Sequence, residues 1–339
     1  MKMEEKEMKK NRTFKLILAL LTGLSIITTP IAMAIFPEAE TLMPSAAAGV
    51  SKKYVHILAD WHVKHQQIAP QQIEDVVEAI ACHDPADTLV LTENCKTFTT
   101  LVYPKLVNDG FFARISKKCK KKNIETHDLD YRFVFNKESG KITNYYDDPR
   151  ISVAEFMATI QNHVNMYHDV LTPWQLVIFK KLQKVADENM LPTQTMAEFY
   201  DYCTEGNILD ETTLIDFTDS LVDAAMLHKI YTTNKKHIFV IAGWWHTNNI
   251  TQQLSAQNYH ILNQQGITYN EFNKRINNYD RSPISKKIPT LDIKQYFAQT
   301  NLKMHYQAVI DYMNTPTFMP DLGITRFTHA VLPFGPFLA

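Results

Sequence analysis

Glycine signatures for nucleotide binding are missing from this chain. Only nine of its 339 residues are glycine, and neither GxGxxG nor GxxxxGK(S/T) occurs. A backbone cradle for phosphates therefore has no support. GxSxG, the strand-to-helix elbow that carries a serine nucleophile, is absent as well. No CxxC pair is present, which argues against a zinc ribbon or a thioredoxin-like site. The four cysteines, Cys82, Cys95, Cys119 and Cys203, allow three disulfide pairings. A chain this long can bury a core without them, so free buried thiols are equally compatible. An excess of one charge is also lacking. Residues 35–339 hold 29 Lys/Arg against 33 Asp/Glu, a balance of −4, which gives no electrostatic footprint for nucleic acid. The local run Lys117, Lys118, Lys120, Lys121 and Lys122 reads as a solvated helix end.

What is present begins with an export signature. Lys9, Lys10, Arg12 and Lys15 precede an apolar run over 16–27, and Ala32-Met33-Ala34 supplies the small-x-small cleavage pattern. Residues 1–34 are thus expected to be a signal peptide, which sends the chain to the periplasm or outside the cell. The apolar run is short for a span and Pro30 follows it, although an uncleaved anchor is the competing reading. Contact with a membrane is expected through this segment alone. Residues 35–50 read as a linker, 51–300 as one α/β domain, and 301–339 as a C-terminal extension.

Periodicity organises the domain. Residues 54–59, 88–91, 123–129 and 237–242 read as strands, the last being continuous and rich in β-branched residues. Pro70 opens a helix whose Ile73, Val76, Val77 and Ile80 share one face. A second helix is expected over 100–118. Strand, helix and strand within about 40 residues make a βαβ unit. The fold expected is a mostly parallel central sheet flanked by helices. A helical insertion over about 150–235 covers one edge. Its helix starts are marked by Ser152 with Glu155, Thr172 with Gln175, and Thr195 with Glu198, each at capping-box spacing. Pro173 falls at a first helical position. A long helix over 210–232 then feeds the strand at 237.

Each predicted strand ends in a turn with an ionisable residue. Asp60-Trp61-His62-Val63-Lys64-His65 follows the first, Glu93 the second, Asp130-Tyr131-Arg132 the third, and Gly243-Trp244-Trp245-His246 the fourth. Ligands of open parallel sheets bind beyond the carboxyl ends of the strands. Parallel strands would therefore gather His62, Glu93, Asp130, Arg132 and His246 on one rim. Such groups suit hydrolysis. An imidazole or carboxylate can take a proton from water, and two histidines with a carboxylate can hold a divalent metal. His62, Glu93 and His246 are the expected catalytic residues and, with a metal present, its ligands. Asp130 and Arg132 would orient substrate, Trp61, Trp244 and Trp245 would wall the pocket, and Asp60 and His65 would support it from behind. His56 reads as a strand histidine satisfied within the core. The Asp60-x-His62 pair resembles the opening of calcineurin-like metallophosphoesterases, but their GDxxD, GNHE and GHxH segments are absent.

The layout over 54–262 resembles the TraB/PrgY/TIKI superfamily, which embraces ChaN-like proteins and erythromycin esterases. In that superfamily a strand ends in GxxH, a second in Glu and a later one in another GxxH. Ala59-Asp60-Trp61-His62, Leu91-Thr92-Glu93 and Gly243-Trp244-Trp245-His246 follow this order, with alanine in place of the first glycine. A helix start over 248–254 and a strand over 259–262 match the usual ending. The preceding helix, Leu221-Val222-Asp223-Ala224-Ala225-Met226, lacks the arginine often found there. The resemblance implies a hydrolase that cleaves an ester or peptide bond in a small-molecule or peptide substrate. It equally admits a ChaN-like protein binding haem or a metal, or a secreted interaction protein with a degenerate site.

Overall fold

Short runs of aliphatic residues become strands here, and the helices between them bury one face each. The computed structural model describes residues 36, 38–45, 53–60, 70–95, 111–130, 133–136, 141–144, 151–206, 208–268, 271 and 291–313. The strands are β1 (Glu38–Pro44), β2 (Tyr54–Asp60), β3 (Thr88–Cys95), β4 (Glu125–Asp130), β5 (Phe133–Asn136), β6 (Lys141–Asn144), β7 (His237–Gly243) and β8 (Tyr259–Gly266). The helices are α1 (Pro70–Ala81), α2 (Phe111–Lys121), α3 (Val153–Met166), α4 (Pro173–Asn189), α5 (Met196–Glu205), α6 (Glu211–Thr232), α7 (Trp244–Ala256) and α8 (Ile293–Met313).

Six strands form one sheet in the order β4-β3-β7-β2-β1-β8. β4, β3, β7 and β2 run parallel, so the expected α/β architecture holds. β1 runs antiparallel to both β2 and β8. β5 and β6 pair with each other as a separate antiparallel ribbon.

Helices cover both faces, as a parallel sheet requires. On one face Leu58, Val90, Phe239 and Ile241 meet Ile73, Val76, Val77 and Ile80 of α1, together with residues of α2 and α8. On the other, Val55, Leu91, Ile238 and Val240 meet Val222, Ala225 and Met226 of α6 and Ile250 of α7. The helical block between β6 and β7 has an apolar centre of its own, including Phe156, Ile160, Leu182, Phe199 and Phe217. Ser152, Thr172 and Thr195 each close the capping box foreseen for them, and Pro173 opens α4. Asp210 caps α6. That helix spans the two cores, with Phe217 and Leu221 in the first and Val222 to Ile230 on the sheet.

Several boundaries differ from expectation. The linker over 35–50 contains β1, whose seven residues are all buried. Its two glutamates and Pro44 conceal a strand that fills the gap between β2 and β8. The division at residue 300 falls inside α8, where Tyr296 and Phe297 pack into the core and Met304 lies against Met43 and Tyr54. The helix after the last central strand starts at Trp244 rather than 248, with Gly243 as its cap. The helix foreseen over 100–118 is described only from Phe111, and the signal peptide lies outside the described residues. Among the described residues, no helix is long and apolar enough to cross a membrane. Cys82, Cys119 and Cys203 are free thiols. Burial pushes Cys119 up to about 12 and Cys203 up to about 11, so neither is a ready thiolate.

Candidate active site at the carboxyl rim

The four parallel strands deliver their last residues to one edge. Asp60 of β2 lies in register with Gly243 of β7. Glu93 comes near the end of the neighbouring β3, and Asp130 ends β4 opposite Cys95. All three carboxylic residues are buried.

Glu93 and His246 come together as the strand directions require. Glu93 Oε1 lies 3.2 Å from His246 Nε2. Glu93 Oε2 accepts the backbone N–H of Gly243 at 2.6 Å, at the start of α7. The positive end of a helix favours a carboxylate there. The same helix start fixes His246, which sits in the first turn of α7 and is 3% exposed.

The third member of the cluster is Asp223, on α6. Its Oδ1 accepts a hydrogen bond from His246 Nδ1 at 2.6 Å, and its Oδ2 accepts from Asn249 Nδ2 at 3.0 Å. Sequence reasoning passed over Asp223, although a signal was there. It is an acid set within a stretch that is otherwise apolar from Leu221 to Leu227, and it is 1% exposed. A charge in such a place must be paired. The imidazole thus lies between two carboxylates. Burial alone would disfavour its charged form, but Glu93 and Asp223 outweigh this and push its pKa up to about 10. His246 is therefore an imidazolium at neutral pH. Asp223 lies above the ordinary carboxylate value because burial outweighs the pull of His246 and Asn249.

The aromatic residues divide. Trp245 is half-buried and meets the His246 ring edge to face, at 5.1 Å between centroids. Trp244 is buried, and its indole N–H donates to Glu38 Oε2 at 2.6 Å, which ties α7 to β1. Asp60 and Asp130 end β2 and β4 on the same rim. Trp61, His62, His65 and Arg132 lie outside the described residues.

Beside α7, over β1 and β2, lies a cavity of about 150 Å³ lined by Glu38, Glu40, Ile57, Thr247, Thr251 and Gln264 among others. Gln264 Nε2 donates to Glu38 Oε1 at 2.9 Å and to Glu40 Oε1 at 2.7 Å, and Thr251 Oγ1 donates to Glu40 Oε2 at 2.7 Å. Burial raises Glu40 to about 7, Thr251 opposes this and Glu38 adds to it. The folded protein thus holds a proton that the unfolded chain releases nearer pH 4.5. That contribution to stability is full below 4.5 and is lost as pH rises through about 7. Glu40→Gln should keep the hydrogen bonds without the charge. We expect it to raise stability at pH 8 by on the order of 1–3 kcal/mol and to flatten the decline between pH 4.5 and 7, measured by thermal unfolding across that range.

No protein-family model matches the chain, and neither a curated protein nor a solved structure matches it.

Proposed function

We propose that this protein is an exported hydrolase of the TraB/TIKI-like type, cleaving an ester or peptide bond with water activated at the carboxyl rim of the sheet. The observation that carries this reading is the buried Glu93–His246–Asp223 row. An imidazole held protonated is a poor base and a competent acid. His246 is therefore assigned to protonate the leaving group, and Asp223 to hold the ring's orientation and charge. The 3.2 Å separation between His246 Nε2 and Glu93 Oε1 is long for a charge-assisted bond, so a substrate oxygen can compete for that proton. Proton removal from water falls to His62, which follows Asp60 by two residues in the chain, with Glu93 as the carboxylate partner of the site.

A divalent metal is the competing occupant of the site and would displace the proton from His246 Nε2. His62, Glu93 Oε1 and His246 Nε2 would be its ligands, with Asp223 on the other ring nitrogen as the outer carboxylate such histidines usually have. Bound there, the ion would supply a Lewis acid and lower the pKa of a coordinated water. The reading is tested by assaying residues 35–339 on nitrophenyl esters and on a peptide mixture, with and without added Zn²⁺ or Mn²⁺. Turnover that disappears in His246→Gln supports it. No turnover under any of these conditions, or turnover unchanged in His246→Gln, sinks it.

A further inference from the structure

We propose that the opposite end of the sheet carries a second site, a three-histidine centre for a divalent cation of the zinc class. It is built from His56, His83 and His237. His56 lies in β2, His237 opens β7, and His83 follows α1. One ring nitrogen from each lies within 4.8 Å of the other two. The site is remote from Glu93 and His246. β7 runs from His237 to Gly243 between the two, a span of about 20 Å at about 3.3 Å per residue.

Strand register explains the convergence. His56 is paired with Phe239 on the parallel neighbour. His237, two residues earlier, therefore faces the same side of the sheet. Their rings are nearly parallel, 10° apart, and the His83 ring stacks on His237 at 4.1 Å. His56 Nε2 and His237 Nδ1 are 3.4 Å apart. Two nitrogens bound at about 2.0–2.1 Å to a tetrahedral ion stand about 3.3–3.4 Å from each other.

Two further observations point to a ligand rather than to a packed stack of rings. His83 Nε2 is buried and has no hydrogen-bond partner. A buried polar atom left so demands an explanation, and an ion is one. The other face of the site is already anchored. Thr41 Oγ1 lies 3.1 Å from His56 Nδ1 and 2.7 Å from the Tyr296 hydroxyl. With Nδ1–H donated to Thr41, His56 Nε2 accepts from His237 Nδ1 at 3.4 Å, and a bound ion would take the place of that shared proton. Metal-bound histidines are usually oriented by an outer partner of this kind. Three imidazoles with no carboxylate select Zn²⁺, Cu²⁺ or Ni²⁺ over Mg²⁺ or Ca²⁺. His56 is fully buried and His237 nearly so, while His83 is only half-buried. The fourth position, for water, would open on the His83 side.

The test is a titration of residues 35–339 with Zn²⁺, and with Co²⁺ as a visible probe of four-coordination. It is repeated on His83→Ala, His83→Asn and His246→Gln. His83 lies in the turn between α1 and β3, so its variants should keep the fold, which the unfolding temperature without metal will verify. The expected result is one equivalent of Zn²⁺ that raises the unfolding temperature. That equivalent should weaken in both His83 variants by at least the 10–100-fold that loss of an outer partner costs, and persist in His246→Gln. Absence of a bound equivalent in His246→Gln, or one that survives the His83 changes made in that His246→Gln background, overturns the proposal. Binding of Mg²⁺ as tightly as Zn²⁺ would overturn it too.

Discussion

Glu93→Gln is expected to lower hydrolytic turnover by about 10²–10⁴-fold, the range attributed to one positioned acid–base group. The reason is specific to the geometry. A glutamine at this position can still accept the Gly243 N–H, so α7 keeps its start. Its amide nitrogen would face His246 Nε2 where a carboxylate stood, donor against donor. One of the two charges that hold His246 protonated is lost, and the imidazole pKa falls from about 10. Steady-state rates across pH 6–10 separate the two effects. On the proposed hydrolase reading, the acid limb in the unaltered protein should belong to the proton acceptor and the alkaline fall should follow His246 near 10. In the variant that fall should move to lower pH. A variant that keeps full activity and an unchanged alkaline limb would remove Glu93 from the chemistry.

Asp223→Ala is expected to cost about 3–5 kcal/mol of folding stability, because it leaves a buried charge without its closest partner. The 2.6 Å bond to His246 and the bond from Asn249 both disappear. Asp223→Asn should cost less, since its amide oxygen can still accept from Nδ1. The linkage has a definite sign. His246 has a folded pKa above its ordinary 6.5. Its contribution is therefore full below pH 6.5 and is lost as pH rises through about 10. In either Asp223 variant this alkaline loss should begin earlier and be smaller. Denaturant unfolding at pH 6, 8 and 10 reads both the cost and the slope. If Asp223→Ala costs under about 0.5 kcal/mol, the range of an ordinary surface change, the carboxylate is not holding a buried imidazolium.

Much of this arrangement could be read from the chain because parallel strands advertise themselves. Apart from His56 and His237, the segments 54–59 and 237–242 are apolar or aromatic and run into turns that carry Asp60 and His246, so direction and rim followed together. Glu93 and His246 were legible for that reason. Asp223 was not, because it comes from a helix face, and a helix brings its residues to the rim by packing rather than by order along the sheet. β1 was hidden for a different cause. Glu38 and Glu40 alternate with Ala39 and Thr41, a pattern that reads as exposed, yet Trp244, Thr251 and Gln264 satisfy both carboxylates inside. The three histidines of the second site are separated by up to 181 positions, and only strand register brings them together. α8 was readable in part. Ile293, Tyr296, Phe297, Thr300 and Met304 mark one buried face, but the polar residues around them mask the period.

The place of β1 between β2 and β8 governs the order in which the sheet can be completed. Its register joins Glu38 to Gly266 and Pro44 to Tyr259, partners more than 200 residues apart in the chain. Nearly the whole domain must be present before β1 can find its outer neighbour. Closing so large a loop is entropically costly and slow. Until then β1 has one free edge and two acidic side chains whose internal donors have not arrived. The two glutamates discourage a stranger's strand from docking on that edge, as charges on unpaired strands do. The same residues that make β1 awkward in the finished core thus help to keep the nascent half-sheet from sticking to its neighbours.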